Sequence, residues 1–217
     1  MELVNPLAEQ YAARFTTPQD ELLHSIHQQS LQHKHAHLLS TETQGQLLSF
    51  LSQMVQPKYI LEIGTFTGYS ALCLCKGLSP DGELHTIELR EKDAEQSSAN
   101  FKLAKKEKQI HLYRGDATQI IPTLNYNWDI VFIDADKTNY IAYYEMVLER
   151  LQIHGLIIAD NVLFHGQVLE KSSKNKNAEA IHQFNQHVLN DNRTEQVLLT
   201  VRDGLLVIRK KETNILR

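Results

Sequence analysis

Cysteine is scarce in this chain, and its two copies stand together, Cys73 and Cys75 in ALCLCKGL. Two residues apart on a helix they point to different faces, which excludes a disulfide framework and a two-cysteine metal clip. Small buried apolar side chains are the reading that remains. Long apolar runs are also missing, and nothing approaches the ~20 residues needed to span a bilayer. The first residues, MELVNPLAEQYAARF, carry acids and no apolar core segment, so no signal peptide is expected and the protein reads as cytoplasmic. Neither sign of charge dominates, since 22 basic against 26 acidic residues leave a net charge of -4. Nucleic acid and anionic membranes both favour basic surfaces, so neither partner is expected. The dinucleotide fingerprint G-x-G-x-x-G is absent too, which argues against an NAD-dependent dehydrogenase.

What is present is an ordinary globular composition, 42% hydrophobic and 22% charged, over a length that suits one domain with a substantial core. The expected organisation is a single domain over 1–217, with N-terminal helices (1–56) covering a core (57–217). Residues 1 to 36 read as helical, with Pro6 and Pro18 at helix-start positions. The histidines of His33-Lys34-His35-Ala36-His37 read as a solvated helix end rather than a metal site. Ser40-Thr41-Glu42-Thr43 reads as a cap before a helix over Gln44 to Val55.

From Lys58 the pattern alternates strand and helix. Strands are expected at Tyr59–Ile63, Glu83–Leu89, Ile110–Arg114, Ile130–Ile133 and Gly155–Ala159, with helices between them and another over Ala178–Leu189 after a loop from Lys171 to Asn177. Asp203-Gly204, flanked by Val197–Arg202 and Leu205–Lys210, is a strong hairpin signal. Five strand–helix units closed by a hairpin imply a doubly wound α/β sheet with an antiparallel edge and helices on both faces.

In such sheets ligands bind beyond the carboxyl ends of the strands. The first strand ends in LEIGTFTGYS, where Gly64 and Gly68 let backbone approach a ligand at the turn into a helix. Glu62 in that turn would repel a phosphate and accept from an ammonium group, which favours a cationic amino-acid ligand such as S-adenosylmethionine. Glu88 ends the second strand, where an acid can accept both ribose hydroxyls. Gly115-Asp116-Ala117 ends the third, close to where an adenine edge would lie, although Asp116 could instead cap the next helix. The run Trp128 to Tyr144, WDIVFIDADKTNYIAYY, ends its strand in Asp134, Asp136 and Lys137. Gly155 to Ala159 ends in Asp160-Asn161. Asp134, Asp160 and Asn161 offer oxygen only, which suits Mg²⁺ or Ca²⁺ rather than Zn²⁺ and would leave about half of an octahedral shell open. The competing reading is that each merely caps a helix.

Together LEIGTFTGYS, the Glu88 strand end, GDA, FIDADKTNYIAYYE, GLIIADNVLFHG and RDGLLVIRKK resemble the cation-dependent O-methyltransferases of the caffeoyl-coenzyme A and catechol type, from about Leu38 to Lys211. The resemblance implies a Rossmann-like methyltransferase fold with a seven-stranded mixed sheet, as a homodimer. It implies S-adenosylmethionine as methyl donor, contacted by Ser40, Glu62, Gly64, Thr65, Ser70, Glu88, Ala117 and Asp134. It implies a divalent cation, Mg²⁺ first and Ca²⁺ or Mn²⁺ as alternatives, on Asp134, Asp160 and Asn161. The acceptor would be a catechol-type phenol whose two oxygens complete the metal shell, with Lys137 taking the phenol proton. Lys137 must be neutral for that step; its competing role is an ion pair with Asp134 or Asp136. Alternatives are the same fold with a non-catechol acceptor, or a non-catalytic S-adenosylmethionine-binding dimer.

The chain departs from the family at several points. Val197 stands where animal catechol enzymes carry a further acid, His154 where a second glycine is common, and Phe164 where tryptophan is frequent. The short N-terminal segment is like that of the bacterial branch. Tyr143 and Tyr144 are read as packing residues, and Asp136 as orienting Lys137 or facing solvent.

Overall fold

The computed structural model describes residues 3–170 and 174–212. Five parallel strands, β1 (Tyr59–Ile63), β2 (Glu83–Glu88), β3 (Ile110–Arg114), β4 (Trp128–Ile133) and β5 (Leu151–Asp160), form most of the sheet. β7 (Leu205–Lys210) pairs antiparallel with β5, and β6 (Thr194–Leu199) antiparallel with β7. The order across the sheet is β3-β2-β1-β4-β5-β7-β6. The chain moves outward from β1 and then returns to β4 on its other side, so the strand order reverses between β1 and β4. That reversal opens a crevice at their carboxyl ends.

The central strands read as continuous apolar runs because both faces of the sheet are covered. Along β4, Ile130 and Phe132 pack with Leu23, Ile26 and Leu48 on one face. Val131 and Ile133 pack with Tyr140, Tyr144 and Phe184 on the other. Burying each such side chain contributes about 1.5–3 kcal/mol.

Before the sheet come α1 (Pro6–Arg14), α2 (Glu21–Ser30) and α3 (Glu42–Val55). Pro6 opens α1 as expected, with Asn5 as its cap. Pro18 does not open α2, whose cap is Asp20, its side chain accepting from Leu23 N at 2.9 Å. Thr41 caps α3 by accepting from Gln44 N. The histidine segment is not a helix end. It is a turn after α2 that closes in a short 3-10 turn over Ala36–Leu38.

The other helices are α4 (Tyr69–Leu74), α5 (Glu91–Leu103), α6 (Ala117–Ile120), α7 (Tyr140–Leu148) and α8 (Lys176–Leu189). Residues 171–173 of the expected loop lie outside the described residues, and Asn175 caps α8, which starts two residues earlier than expected. β5 starts four residues early, with a register irregularity against β4 between Trp128 and Ile130.

The Asp203-Gly204 turn is also different. Leu199 pairs with Leu205, which leaves a five-residue loop rather than a two-residue one. Both residues are engaged elsewhere: Val162 N donates to Gly204 O at 3.1 Å and Leu163 N to Asp203 O at 2.9 Å. Asp203 also accepts from His165 N. The pair docks the segment after β5 instead of closing a tight hairpin.

Candidate functional site

A cleft of about 590 Å³ lies over the carboxyl ends of the parallel strands. Its walls include Gly64, Thr65, Phe66 and Ser70 after β1, Glu88 and Arg90 after β2, Gly115 to Ala117 after β3, Asp134 to Lys137 after β4, and Asn161 after β5. Leu38, Leu39 and Ser40 close it from the N-terminal segment. Its size falls in the ordinary range for small-molecule sites, about 300–1,000 Å³.

Gly64 is required here by space and by backbone. Its φ is +98°, and a Cβ would lie 1.9 Å from the carbonyl oxygen of Asp134. The ends of β1 and β4 therefore touch, tied by Asp134 N donating to Ile63 O at 2.9 Å. Each strand end thus contributes one polar group to one space.

Lys137 is the hub of the polar end. Its ammonium donates to Asp134 Oδ1 at 3.0 Å, to Asn161 Oδ1 at 3.0 Å and to the Tyr140 hydroxyl at 2.6 Å. Three donors meet three acceptors, as a charged lysine requires. Tyr140 in turn donates to Asp160 O at 3.0 Å. Burial, then the Asp134 and Asp160 charges, hold its phenol far above the usual range, so it stays a donor.

Asp160 is fully buried behind Asn161. Its carboxylate accepts from Gln44 Nε2 at 2.7 Å and from Asn161 N at 2.7 Å, with Arg202 Nη1 3.7 Å away. Burial and the neighbouring Asp134 charge push its carboxyl up to about 6, against the opposing pull of Lys137 and Arg202. Asn161, with φ +59°, presents its side chain on the cleft wall.

Glu62 is placed behind the wall rather than on it. It is fully buried, and its two oxygens accept from Ser70 Oγ and Thr86 Oγ1, each at 2.6 Å. Thr86 also meets Thr65 Oγ1 at 2.5 Å. Ser70 and Thr65 face the cleft, so Glu62 reaches it through hydroxyls. Glu88 accepts from Phe66 N at 2.7 Å and Arg90 N at 2.8 Å at the wall.

Ser40 lines the cleft, its carbonyl held by His27 Nε2 at 3.0 Å. Ala117 lines it at the start of α6, which Asp116 caps by accepting from Thr118 N. Asp136 does not bond Lys137. It accepts from Tyr143 Oη at 2.5 Å and Asn139 Nδ2 at 2.7 Å, so it fixes the turn that carries Lys137. Tyr144, expected to pack, is buried and donates to Asp191. Buried Tyr143 lines the cleft as well.

Several contributors escaped the sequence reading. Thr86 could have been found from strand register, because it pairs with Glu62 across β1 and β2. Gln44 and Arg202 had no such signal. Arg202 also donates to His37 O at 2.9 Å, which ties the β6–β7 loop to the N-terminal cover. His33, read as solvated, sets its ring edge against Phe66 at 4.9 Å and its Nε2 3.3 Å from Asp93.

This geometry can be set beside known proteins. Residues 13–211 match the sequence profile of the family described as O-methyltransferase. The chain belongs to this O-methyltransferase family. It is 34% identical over 206 residues to mouse (Mus musculus) catechol O-methyltransferase domain-containing protein 1, covering 93% of this chain and 78% of that protein. It is 32% identical over 177 residues to the caffeoyl-CoA O-methyltransferase of Stellaria longipes, covering 76% and 73%. Among solved structures, the Bacillus cereus O-methyltransferase in complex with SAH superposes with a TM-score of 0.84 at 31% identity, covering 94% of this chain and 97% of that one. The fold and the O-methyltransferase assignment expected from the motifs are thereby established, and the protein is an O-methyltransferase of the catechol and caffeoyl-CoA type.

Proposed function

We propose that this O-methyltransferase moves the methyl group of S-adenosylmethionine to one hydroxyl of a vicinal dihydroxy aromatic, with a divalent cation held by Asp134, Asp160 and Asn161. One observation carries the reading: Asp134 Oδ1 and Asn161 Oδ1 converge at 3.0 Å on a single cationic nitrogen beside buried Asp160. Lys137 Nζ stands in for positive charge in a set of oxygen donors that suits Mg²⁺. Burial first, and the Asp134 charge second, raise the Asp160 carboxyl, so a cation beside it would favour its ionised form. When bound, such a cation would lower the pKa of a coordinated phenol and orient its neighbouring oxygen.

The chain's own groups supply the rest. With the cation's charge in place of its own, Lys137 in its neutral form would accept the phenol proton, and Tyr140 and Asp134 hold that nitrogen at the cleft wall. With the donor bound, the phenolate oxygen would form the new bond to the methyl carbon as the carbon–sulfur bond breaks with its electron pair on sulfur. Positioning is the main contribution to that step. Glu88 would hold the donor's ribose hydroxyls, Ala117 its adenine edge, and Ser40, Gly64, Thr65, Ser70 and Asp134 its methionine portion. Glu62 acts there through Ser70 and Thr65. A homodimer is supported by exposed apolar side chains on two touching helices and their cap: α1 buries none of its residues and exposes Leu7 and Tyr11, its C-cap Phe15 is exposed, and α3 exposes Phe50 and Met54. A cytoplasmic setting is supported by the free thiols of Cys73 and Cys75. No described helix is long and apolar enough to cross a membrane.

Methylation of a catechol panel with and without EDTA tests the reading. Transfer to vicinal diols that stops with chelator, and that Asp160→Ala removes, is expected. Undiminished transfer in either condition refutes the cation role, and transfer only to lone hydroxyls refutes the acceptor class.

A further inference from the structure

At the opposite end of the same sheet, three side chains converge that the methyl-transfer site does not use. Glu83 opens β2, His85 follows two residues later on the same face, and His111 of β3 pairs with His85 in the parallel register. Glu83 and Glu88 begin and end one strand, so this cluster is about 16 Å from the cleft wall. Glu83 Oε2 lies 3.3 Å from His85 Nε2 and 3.4 Å from His111 Nε2. The three ligating atoms all lie within 4.8 Å of one another. Both Nε2 atoms are buried and face the Glu83 carboxylate without a well-aligned hydrogen bond to it, and His85 as a whole is 0% exposed.

A buried ring nitrogen held in such poor alignment with its neighbour is costly unless something fills the gap between the three groups. The spacing says what would. Two ligands about 2.05 Å from a zinc ion at the tetrahedral angle stand about 3.4 Å apart, which both measured separations match. We propose that Glu83, His85 and His111 bind one transition-metal ion of the zinc class, with water completing the tetrahedron, as a clip between edge strand β3 and its neighbour β2.

Binding at Nε2 places the His85 proton on Nδ1, and Tyr113 Oη lies 3.0 Å from Nδ1 to accept it. A ligating histidine is ordinarily oriented by such a bond from its other ring nitrogen. Tyr126 packs over the His85 ring at 4.1 Å and His111 stacks on it at 4.9 Å, which fix the ring plane. Two nitrogens and one oxygen prefer Zn²⁺ over Mg²⁺, the reverse of the all-oxygen set in the cleft.

The test is a calorimetric titration of Zn²⁺ into the full chain, stripped with chelator and kept in excess Mg²⁺. One bound equivalent is expected. His111→Ala and Glu83→Gln, both at partly exposed positions, should each weaken it by more than about 10-fold while leaving Mg²⁺-supported methyl transfer unchanged. Co²⁺ in place of Zn²⁺ should give the visible absorption of a four-coordinate ion in the parent protein and lose it in His111→Ala. No bound equivalent in the parent, or affinity in both variants equal to the parent's, overturns the proposal.

Discussion

Glu62→Gln probes the buried hydroxyl network with a sign that can be worked out. Glu62 is sealed from solvent, and burial pushes its carboxyl from 4.5 up to about 8, against the pull of the Ser70 and Thr86 hydroxyls. Between those values the native state keeps a proton that the unfolded chain has released. The native state therefore binds more protons, so stability is greatest below the unfolded value and falls as pH rises toward the folded one. Below and above that window Glu62 contributes no slope. From pH 5 to pH 7.5 the loss from this one group is about 3 kcal/mol, taking 1.36 kcal/mol per unit.

The amide introduced by Glu62→Gln would be uncharged throughout and similar in shape, so the variant should lose that part of the slope. Ser70 and Thr86 can rotate their hydroxyls to meet it. Asp160, raised to about 6, contributes to both proteins and cancels in their difference. Urea unfolding of the ligand-free protein at a series of pH values reads the difference directly. Parallel pH profiles for parent and variant would refute the reasoning, because the buried carboxyl would then be titrating as an unfolded one does.

Three other perturbations have outcomes set by the same structure. Gly64→Ala should destabilise by about 2–4 kcal/mol, from positive φ and overpacking together, since its Cβ meets the Asp134 carbonyl; an unchanged denaturation midpoint contradicts this. Lys137→Met should lower kcat by about 10²–10⁴-fold with donor affinity preserved by calorimetry, and a change confined to KM would remove Lys137 from the proton step. His154→Gly should stabilise by about 0.5–1 kcal/mol, because His154 holds φ +65°; thermal unfolding that shows a loss contradicts it.

Local patterns were legible because they depend on neighbours in the chain. β1 and β3 occur at the expected residues, and β2 ends one residue early, since a run of apolar residues closed by a charge marks a buried strand and its end. The strand ends at Glu88, Asp134 and Asp160-Asn161 followed from those runs, and with them the outline of the site. The glycine turn was legible too, although only the contact with the Asp134 carbonyl explains why Gly64 admits no side chain.

What stayed out of reach depends on partners far away in the chain. Gln44 stands 116 residues before the Asp160 carboxylate it donates to, and no local pattern marks either as the other's partner. Asp203-Gly204 carries the local chemistry of a tight turn, yet its carbonyls are drawn to Val162 and Leu163 and the hairpin opens to five residues. Glu62 reads as a ligand contact from its place in the turn, but the side chain alternates to the inner face and is covered by Thr86 from the next strand. Periodicity and motif were enough for the strands, their polar ends and the membership of one family. Which of those polar ends face the cleft, and which stand behind it, was settled in three dimensions, because burial and hydrogen-bond partners depend on where distant segments pack.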